Sequence, residues 1–320
     1  MAHRFINEIQ PGENIIDIYL VRDPILRSTT RGDLYIAMYL SDRTGQLNAR
    51  IWQATETVYK TLPNPGFVYV HAKSETYQNN LQIIVNSIQP VDPEKVSLDD
   101  FLARSTKDVK QMFQQVKQIL EKIKNPSLTL LIQRFFADKE LMDRFCSAPA
   151  AIKLHHNYLA GLLEHTHNML LVADAILPFY PEVQPDLVLA GVFLHDIGKT
   201  AEISYDMAFS YTDSGQLIGH IVQSLLILNR KAEALAAEGK PLDPHILDSL
   251  SHIILSHHGQ YEFGSPKLPA TAEAYMVNYI DDLDAKVNQI NAAIDSEQSD
   301  SNWTAFKTAL QTRLYKKRIR

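Results

Sequence analysis

The stretch FLHDIGK, residues 193–199, decides how the second half of this chain is interpreted. Residues 187–194 form an apolar run, which is typical of a buried helix. Neighbouring side chains on a helix point about 100° apart, so His195 and Asp196 can face one target only where the helix ends. We expect Gly198 to supply the left-handed position that ends it. The sequence therefore predicts a polar pair at the rim of a helical core.

Further histidines of this half fall on apolar helix faces. His165 is spaced with Met169, and His220 with Leu217, as on one face of a helix. A lone inward histidine is usually a hydrogen-bonded core residue. Burying several imidazoles and carboxylates without a common partner costs on the order of a few kcal/mol each, and a shared cation removes that cost. The residues expected to converge are His165, His195, Asp196, His220, His257, His258 and Asp281.

The first third of the chain has a different period. Apolar and polar residues alternate in short runs that are separated by turn residues, a pattern of small β-structures. About five such strands would close an OB-fold barrel. The clearest runs are residues 34–40 and 47–51, which flank the turn 41–45, followed by 66–73 and 81–88.

Four side chains lie on the outward face of the predicted hairpin: Tyr35, Tyr39, Arg50 and Trp52. OB-folds hold single strands by stacking bases on such aromatic rings beside a cation. The alternative is that a small barrel needs large side chains simply to fill space. Both interpretations stay open at the level of the sequence.

The change of period gives the domain boundaries. Apolar residues between positions 109 and 123 recur at helical spacing, and almost everything after them is predicted to be helical. We therefore expect a five-stranded OB-fold barrel, followed by an all-α region. The predicted divisions are an OB-fold nucleic-acid-binding domain over residues 1–95, a helical linker region over 96–148 and a second domain over 149–320 that contains the histidines expected to converge.

Composition limits the setting and the partners. The formal net charge of −6 does not favour a duplex binder, whose surface is usually strongly basic. A basic cluster of Arg313, Lys316, Lys317, Arg318 and Arg320 either grips a polynucleotide or is a solvated, fraying helix end. The single cysteine, Cys146, and the lack of a long apolar run predict a cytoplasmic protein without a membrane partner. A homo-oligomer is compatible with the sequence, which does not fix the oligomeric state.

The polar segments of the second half also resemble a known family. GLLEHT, FLHDIGK, GH, SHHG and YIDDLDAK match, in order and spacing, the H…HD…H…HH…D signature of HD-superfamily phosphohydrolases. HHNYLAGLLEHT, SHHGQYEFGSPKLP and the N-terminal barrel together resemble the YhaM-type 3′-to-5′ exoribonucleases over essentially the whole chain. The resemblance implies a metal-dependent phosphodiesterase that hydrolyses single-stranded RNA, or DNA as well, to nucleoside 5′-monophosphates.

The same resemblance implies roles for particular residues. His165, His195, Asp196 and Asp281 would bind one divalent metal ion, and Asp196 would bridge to a second held by His220 and His257, with His258 at the rim or as a further ligand. Two metals activate water and clamp the attacking and leaving oxygens. Mn²⁺ is favoured over Fe²⁺, Co²⁺ or Mg²⁺.

Substrate contacts are expected from Lys199, which follows the HD pair and suits a phosphate oxygen. His156 and Tyr261 are further candidates, together with the aromatic face of the barrel. Two other functions remain open: a phosphohydrolase acting on a small nucleotide, and a non-catalytic protein that binds single strands.

Overall fold

The computed structural model describes residues 3–78, 80–152, 156–205, 207–297 and 299–317. The chain divides into two compact units, each with its own core. The first contains Met1–Arg104 and Tyr205–Phe209, and the second contains Ser105–Ser204 and Ser210–Arg320.

The first unit is a closed five-stranded barrel. Its strands follow one another around the barrel in the order β1, β2, β3, β5, β4, and β4 closes on β1. β3 and β5 run parallel, while all other pairs are antiparallel. The strands are β1 (Asn14–Ser28), β2 (Leu34–Asp42), β3 (Gly45–Trp52), β4 (Gly66–Tyr77) and β5 (Asn80–Pro90), with helix α1 (Glu56–Thr61) between β3 and β4. This strand number confirms the predicted OB-fold class.

Alternate side chains of β2 and β3 point into the barrel and out to its surface. Ile36, Met38 and Leu40 are buried in the barrel, whereas the intervening side chains of β2 point outward. In the β2–β3 register Tyr35 lies opposite Trp52. The predicted hairpin is therefore confirmed together with its two faces. Helix α1 was not predicted, because six residues are too short to show a helical period.

The second unit is almost entirely helical, as predicted. It contains α2 (Val109–Leu120), α3 (Pro126–Ala137), α4 (Lys139–Ser147), α5 (Gly161–Ile176), α6 (Pro185–Leu194), α7 (Lys199–Glu202), α8 (Asp213–Ile218), α9 (His220–Ala237), α10 (Pro244–Ser256) and α11 (Ala272–Asp295). The exception is a two-stranded pair, β6 (Ile203–Ser204) with β7 (Ser210–Tyr211). Among the described residues, no helix combines the length and apolar character that a membrane span requires.

Two details of the sequence interpretation were wrong at the helix junctions. Gly198 has a right-handed φ of −64° and directly precedes α7, so it does not supply a left-handed helix end. A Cβ at Gly198 would lie 2.2 Å from the carbonyl oxygen of His220, which explains the glycine by close approach of α9. Leu217 and His220 share no helix, because Gly219, with a φ of +76°, separates α8 from α9.

The chain beyond α11 also differs from the expected fraying helix end. Residues 302–316 fold back on themselves, with bridges that join Trp303 to Tyr315 and Lys307 to Thr312. Arg318 and Arg320, which belong to the basic cluster seen in the sequence, lie outside the described residues.

Candidate functional site

The predicted metal-binding side chains all converge within the helical unit, although they come from five separate helices or their ends. His165 lies on α5 and Asp281 on α11, whereas the other ligands cluster at helix ends. His195 caps the C-terminus of α6, His220 begins α9, and His257 caps the C-terminus of α10. Helix ends let adjacent residues face one point, so the pairs His195–Asp196 and His257–His258 can both reach the centre.

Asp196 lies at the middle of this cluster. Its Oδ1 atom is 3.5 Å from Nε2 of His220 and 3.6 Å from Nε2 of His257. Its Oδ2 atom is 3.3 Å from Nε2 of His195 and 2.6 Å from Nζ of Lys199. One carboxylate oxygen thus faces two imidazoles, and the other faces an imidazole and an ammonium.

The potential ligand atoms form two groups around Asp196. His165, His195 and Asp281 present ligand atoms within 4.8 Å of one another, and so do His220, His257 and His258. The Nε2 atom of His165 is 3.1 Å from Oδ1 of Asp281. His258 lies in the second of these groups, and a third set of neighbouring ligand atoms comes from His156, His165 and Asp284.

Each of the five imidazoles is held through its Nδ1 atom. Two of them donate to carboxylates: His165 to Asp284 at 2.7 Å and His220 to Glu202 at 3.0 Å. The other three bond to backbone carbonyls: His195 to Val192, His257 to Ile254 and His258 to Phe263, each at 2.7 Å. Because carbonyl and carboxylate oxygens only accept, Nδ1 carries the proton and Nε2 is left as the metal-binding atom.

The buried Nε2 atoms fit a bound cation. Among the described residues, Nε2 of His195, His220 and His257 and Oδ1 of Asp196 are buried without a hydrogen bond. Buried polar atoms are normally satisfied, and exceptions need an explanation. These four atoms face one another at ligand-like positions, so the donor set fits divalent metal ions. Imidazole and carboxylate without thiolate is typical of Mn²⁺, Fe²⁺ or Co²⁺ chemistry.

Electrostatics within the cluster support a cation-binding role. Burial alone raises the pKa of Asp196, but Lys199 and His195 hold it well below its ordinary value. Burial alone lowers the pKa of His165, but hydrogen bonds to Asp281 and Asp284 raise it to about 9. Burial and the neighbouring His257 lower the pKa of His258 to about 4. The carboxylates therefore stay ionised, and His165 without a metal carries a second proton, on Nε2 beside Asp281, which metal binding would displace.

Lys199 lies inside the cluster rather than at its edge. Its side chain is buried, and the ion pair with Asp196 fixes its ammonium. Burial alone lowers the pKa of Lys199, but the Asp196 carboxylate raises it above the ordinary value. A permanently charged ammonium beside the central carboxylate is suitably placed for a phosphate oxygen.

His156 has partners other than the predicted substrate. It is 1% exposed, with Nε2 2.7 Å from Oδ2 of Asp284 and Nδ1 2.7 Å from the hydroxyl of Tyr158. The same Asp284 oxygen contacts His165. His156 thus supports the carboxylate that orients a ligand, and a substrate contact does not fit its burial. His155, beside it in the sequence, lies outside the described residues.

Tyr261 lies in a surface turn that follows His258. The turn spans Tyr261–Phe263, and both aromatic side chains are more than half exposed. Sequence reasoning did not find Phe263, whose carbonyl holds His258, or Glu202, which holds His220 through both its ring and its backbone N–H. Backbone carbonyls have no sequence signal, and Glu202 lies in a separate helix from the ligand that it holds.

The outward face of the barrel brings the four predicted side chains together. The Tyr35 and Trp52 rings are 5.1 Å apart, and the Arg50 guanidinium lies 5.5 Å from the Trp52 ring. Tyr39 and Trp52 are 36% and 43% exposed. A cleft of about 260 Å³ runs along this face, lined by Tyr35, Tyr39 and Arg50 among others. We refer to Tyr35, Tyr39, Arg50 and Trp52 as the barrel face.

Tyr77 extends the barrel face and was missed in the sequence. Its ring lies 5.5 Å from the Arg50 guanidinium, and both residues line a second cleft of about 190 Å³. Tyr77 is 48% exposed. It belongs to β4, which pairs with neither β2 nor β3, and it comes near Arg50 across β5, which pairs with both β3 and β4.

Comparison with known proteins agrees with this architecture. Residues 162–286 match the HD domain, which defines a class of metal-dependent phosphohydrolases. The 3′-5′ exoribonuclease YhaM of Bacillus subtilis (strain 168) is 34% identical over 96% of this chain and 95% of its own length. The YhaM of Geobacillus sp. (strain WCH70) is 31% identical over 96% of this chain and 93% of its own. The second OB-fold domain of replication protein A from Methanococcus maripaludis aligns with 31% of this chain and 100% of its own, at a TM-score of 0.24 and 18% identity.

The fold and site define a hydrolase in which an OB-fold barrel is followed along the chain by an HD domain, and the HD domain implies divalent metal binding. More particularly, the chain belongs to the YhaM family of exoribonucleases.

Proposed function

We propose that this protein removes nucleotides from the 3′ end of single-stranded RNA and releases nucleoside 5′-monophosphates. The observation that carries the proposal is the ring of Nδ1-anchored histidines around Asp196, whose Nε2 atoms converge on that carboxylate. The names of the YhaM relatives supply the 3′-5′ direction and the RNA substrate.

The proposed ligands of the first metal ion are His165, His195, Asp196 and Asp281. Those of the second are His220, His257, His258 and the shared Asp196. We propose Mn²⁺ as the natural ion. When bound, such ions lower the pKa of water and stabilise charge on the attacked phosphate.

The other residues of the cluster prepare the site. Asp284 and Glu202 hold His165 and His220 in the tautomer that leaves Nε2 without a proton. His156 holds Asp284 in turn, and we assign it a positioning role. The Lys199 ammonium neutralises a phosphate oxygen of the substrate.

The barrel face is the proposed binding surface for the single strand. Bases stack on Trp52 and Tyr39, while Arg50 pairs with phosphate or stacks in turn. Stacking does not require the ribose hydroxyl, so single-stranded DNA is a second proposed ligand. We place this activity in the cytoplasm, in keeping with the single cysteine of the chain.

The deciding experiment uses chelator-treated protein and a single-stranded RNA labelled at its 5′ end. Added Mn²⁺ should produce a ladder that shortens from the 3′ end, with nucleoside 5′-monophosphates as the released product. Mn²⁺ should also raise the unfolding midpoint, because it binds the native site. A matched pair of variants provides the control. Asp281→Asn should lose both effects. Asp282→Asn should keep them, because the Asp282 carboxylate is half-exposed although it is adjacent in the sequence.

Two outcomes would replace this proposal. If free nucleotides are hydrolysed while the RNA stays intact, the protein is a small-nucleotide phosphohydrolase. Binding of RNA without release of any nucleotide at saturating Mn²⁺ would identify a binding protein.

A further inference from the structure

A compact hairpin follows the last long helix of the second unit. Thr304 donates its backbone N–H to Leu314 at 2.9 Å, and Lys307 donates to Thr312 at 2.8 Å. A further bond joins Lys316 to the carbonyl of Asn302 at 2.8 Å. These bonds give residues 302–316 a defined register, in which side chains alternate between two faces.

One face of this hairpin anchors it, and the other is exposed. Thr304 and Leu314 are buried. Trp303 and Tyr315, which are direct cross-strand partners, are 46% and 49% exposed, with ring centroids 5.1 Å apart. A cross-strand aromatic pair stabilises its hairpin, and when it is exposed it also offers ring faces on which planar groups can stack.

Two cationic residues lie at alternate positions along the strand that carries Tyr315. Arg313 and Lys317 are each two residues from Tyr315, and both are exposed. We call Trp303, Arg313, Tyr315 and Lys317 the C-terminal face. It combines two stacking rings with two positive charges, the same components as the barrel face.

The local charge selects the kind of ligand. Residues 302–320 contain six Lys or Arg and no Asp or Glu, although the whole chain has a net charge of −6. Lys307 is neutralised by Glu297 at 3.3 Å, whereas Arg313, whose Nε atom donates to the Thr304 carbonyl at 3.0 Å, and Lys317 are exposed on the strand that carries Tyr315. A polyanion with exposed planar groups matches both components, and unpaired bases on a phosphate backbone provide them.

We propose that the C-terminal face is a second binding site for single-stranded nucleic acid, separate from the barrel face. Bases stack on Trp303 and Tyr315, and Arg313 and Lys317 contact the flanking phosphates. The identity of the ligand as RNA rests on the proposed function.

The position of the hairpin along the chain separates it from the metal ligands. Asp281 and Asp295 lie on the same helix, α11, fourteen residues apart, which corresponds to on the order of 20 Å. The hairpin begins beyond Asp295. Ala305 and Lys307 both bond to Glu297, which keeps this part of the hairpin at the C-terminal end of α11. We infer that the hairpin contacts nucleotides other than the one that is cleaved.

The test measures binding by the full chain, in chelator, to an unstructured RNA homopolymer at near-physiological salt. The double variant Trp303→Leu with Tyr315→Leu keeps an apolar cross-strand pair but removes both rings. We expect its affinity to fall about tenfold or more. Trp303→Phe with Tyr315→Phe should restore most of it. Phe179→Leu, which removes a 78% exposed ring elsewhere on the helical unit, should bind as wild type.

A charge variant tests the phosphate contact without disturbing the hairpin core. Lys317→Gln should lower the slope of log affinity against log salt by about 0.7, the value for one phosphate of a single strand. Lys110→Gln, at an exposed position of α2, should leave the slope unchanged. If the double variant does not fold, this slope decides the proposal.

Unchanged RNA affinity in a folded double variant, with an unchanged salt slope for Lys317→Gln, would overturn the proposal. So would a change of oligomeric state without a change of affinity, which would show that the face contacts protein. If the wild type binds RNA through this face but releases no nucleotide, the proposed function fails while the second binding site stands.

Discussion

The two units of this protein place their polar and aromatic groups in opposite ways. The helical unit buries charged and polar side chains around Asp196, whereas the barrel exposes large aromatic rings such as Trp52. A buried carboxylate and several imidazoles are stable only with a shared partner, so that arrangement indicates chemistry. Exposed rings beside a cation indicate a surface that a ligand covers. The contrast predicts that chemistry and strand binding can be impaired separately.

Removing the central carboxylate should have the largest effect. Asp196→Ala takes away a carboxylate that lies within 3.6 Å of three imidazoles, so both proposed metal ions would lose a ligand. We expect no RNA hydrolysis above background, with binding of long RNA in chelator retained. Release of labelled nucleotide at saturating Mn²⁺ measures the effect. Near-wild-type turnover by Asp196→Ala would remove this carboxylate from the centre of the site.

Loss of the buried ammonium should be less severe. Lys199→Ala leaves every proposed metal ligand in place but removes the positive charge 2.6 Å from Asp196. We expect turnover to fall on the order of 10² to 10³. Single-turnover rates at saturating RNA measure it, and Lys110→Ala is the surface control. If Lys199→Ala lost metal binding as completely as Asp196→Ala, the lysine would be structural.

The orienting carboxylate should have a smaller effect, and one that metal can offset. Asp284 holds both His165 and His156, each at 2.7 Å. Asp284→Asn should raise the Mn²⁺ concentration for half-maximal activity by about 10- to 100-fold. Excess Mn²⁺ should then recover most of the turnover, which separates positioning from direct catalysis. Asp282→Asn on the same helix is the matched control, and a loss that no Mn²⁺ concentration repairs would make Asp284 a ligand.

The two units also differ in how much of them the sequence reveals. In the barrel, period-two alternation placed Tyr35, Tyr39, Arg50 and Trp52 on one face, as the strand register confirms. Tyr77 was missed because the parallel pairing of β3 with β5, which is non-local, brings it to Arg50.

In the helical unit, the histidine spacing indicated which residues would meet, but not what holds them. The backbone carbonyls of Val192 and Ile254, which orient His195 and His257, have no signature in the side-chain sequence. Gly198 was misinterpreted for a related reason. Because it has no side chain, the backbone of α9 can pack directly against it. This contact joins elements that are separate in the sequence, so the residues of the turn alone do not predict it.

The smallest predicted effect concerns the barrel face. Trp52→Leu removes a 43% exposed ring that contacts Tyr35 and Arg50, but it leaves every residue of the helical unit unchanged. One base–aromatic stack contributes about 1 to 3 kcal/mol, so affinity for a long strand should fall roughly tenfold. Turnover of a dinucleotide, which needs only the metal centre, should be unchanged.

Substitution tests the barrel more cleanly than deletion of residues 1–95 would. Ala208, from the segment Tyr205–Phe209, packs with Leu20, Phe67 and Phe101 in a core of the first unit. Deletion would strip that segment of its partners, and a loss of activity could then come from misfolding. Trp52→Leu avoids this because its side chain lies outside the core. Tyr69→Leu is the control, since its 37% exposed ring contacts His71 and lies opposite Ile18 and Gln89, at the other end of β4 from Tyr77. If Trp52→Leu and Tyr69→Leu lowered long-strand affinity equally, or if Trp52→Leu slowed the dinucleotide as much as the long strand, the barrel face would have no special role in binding.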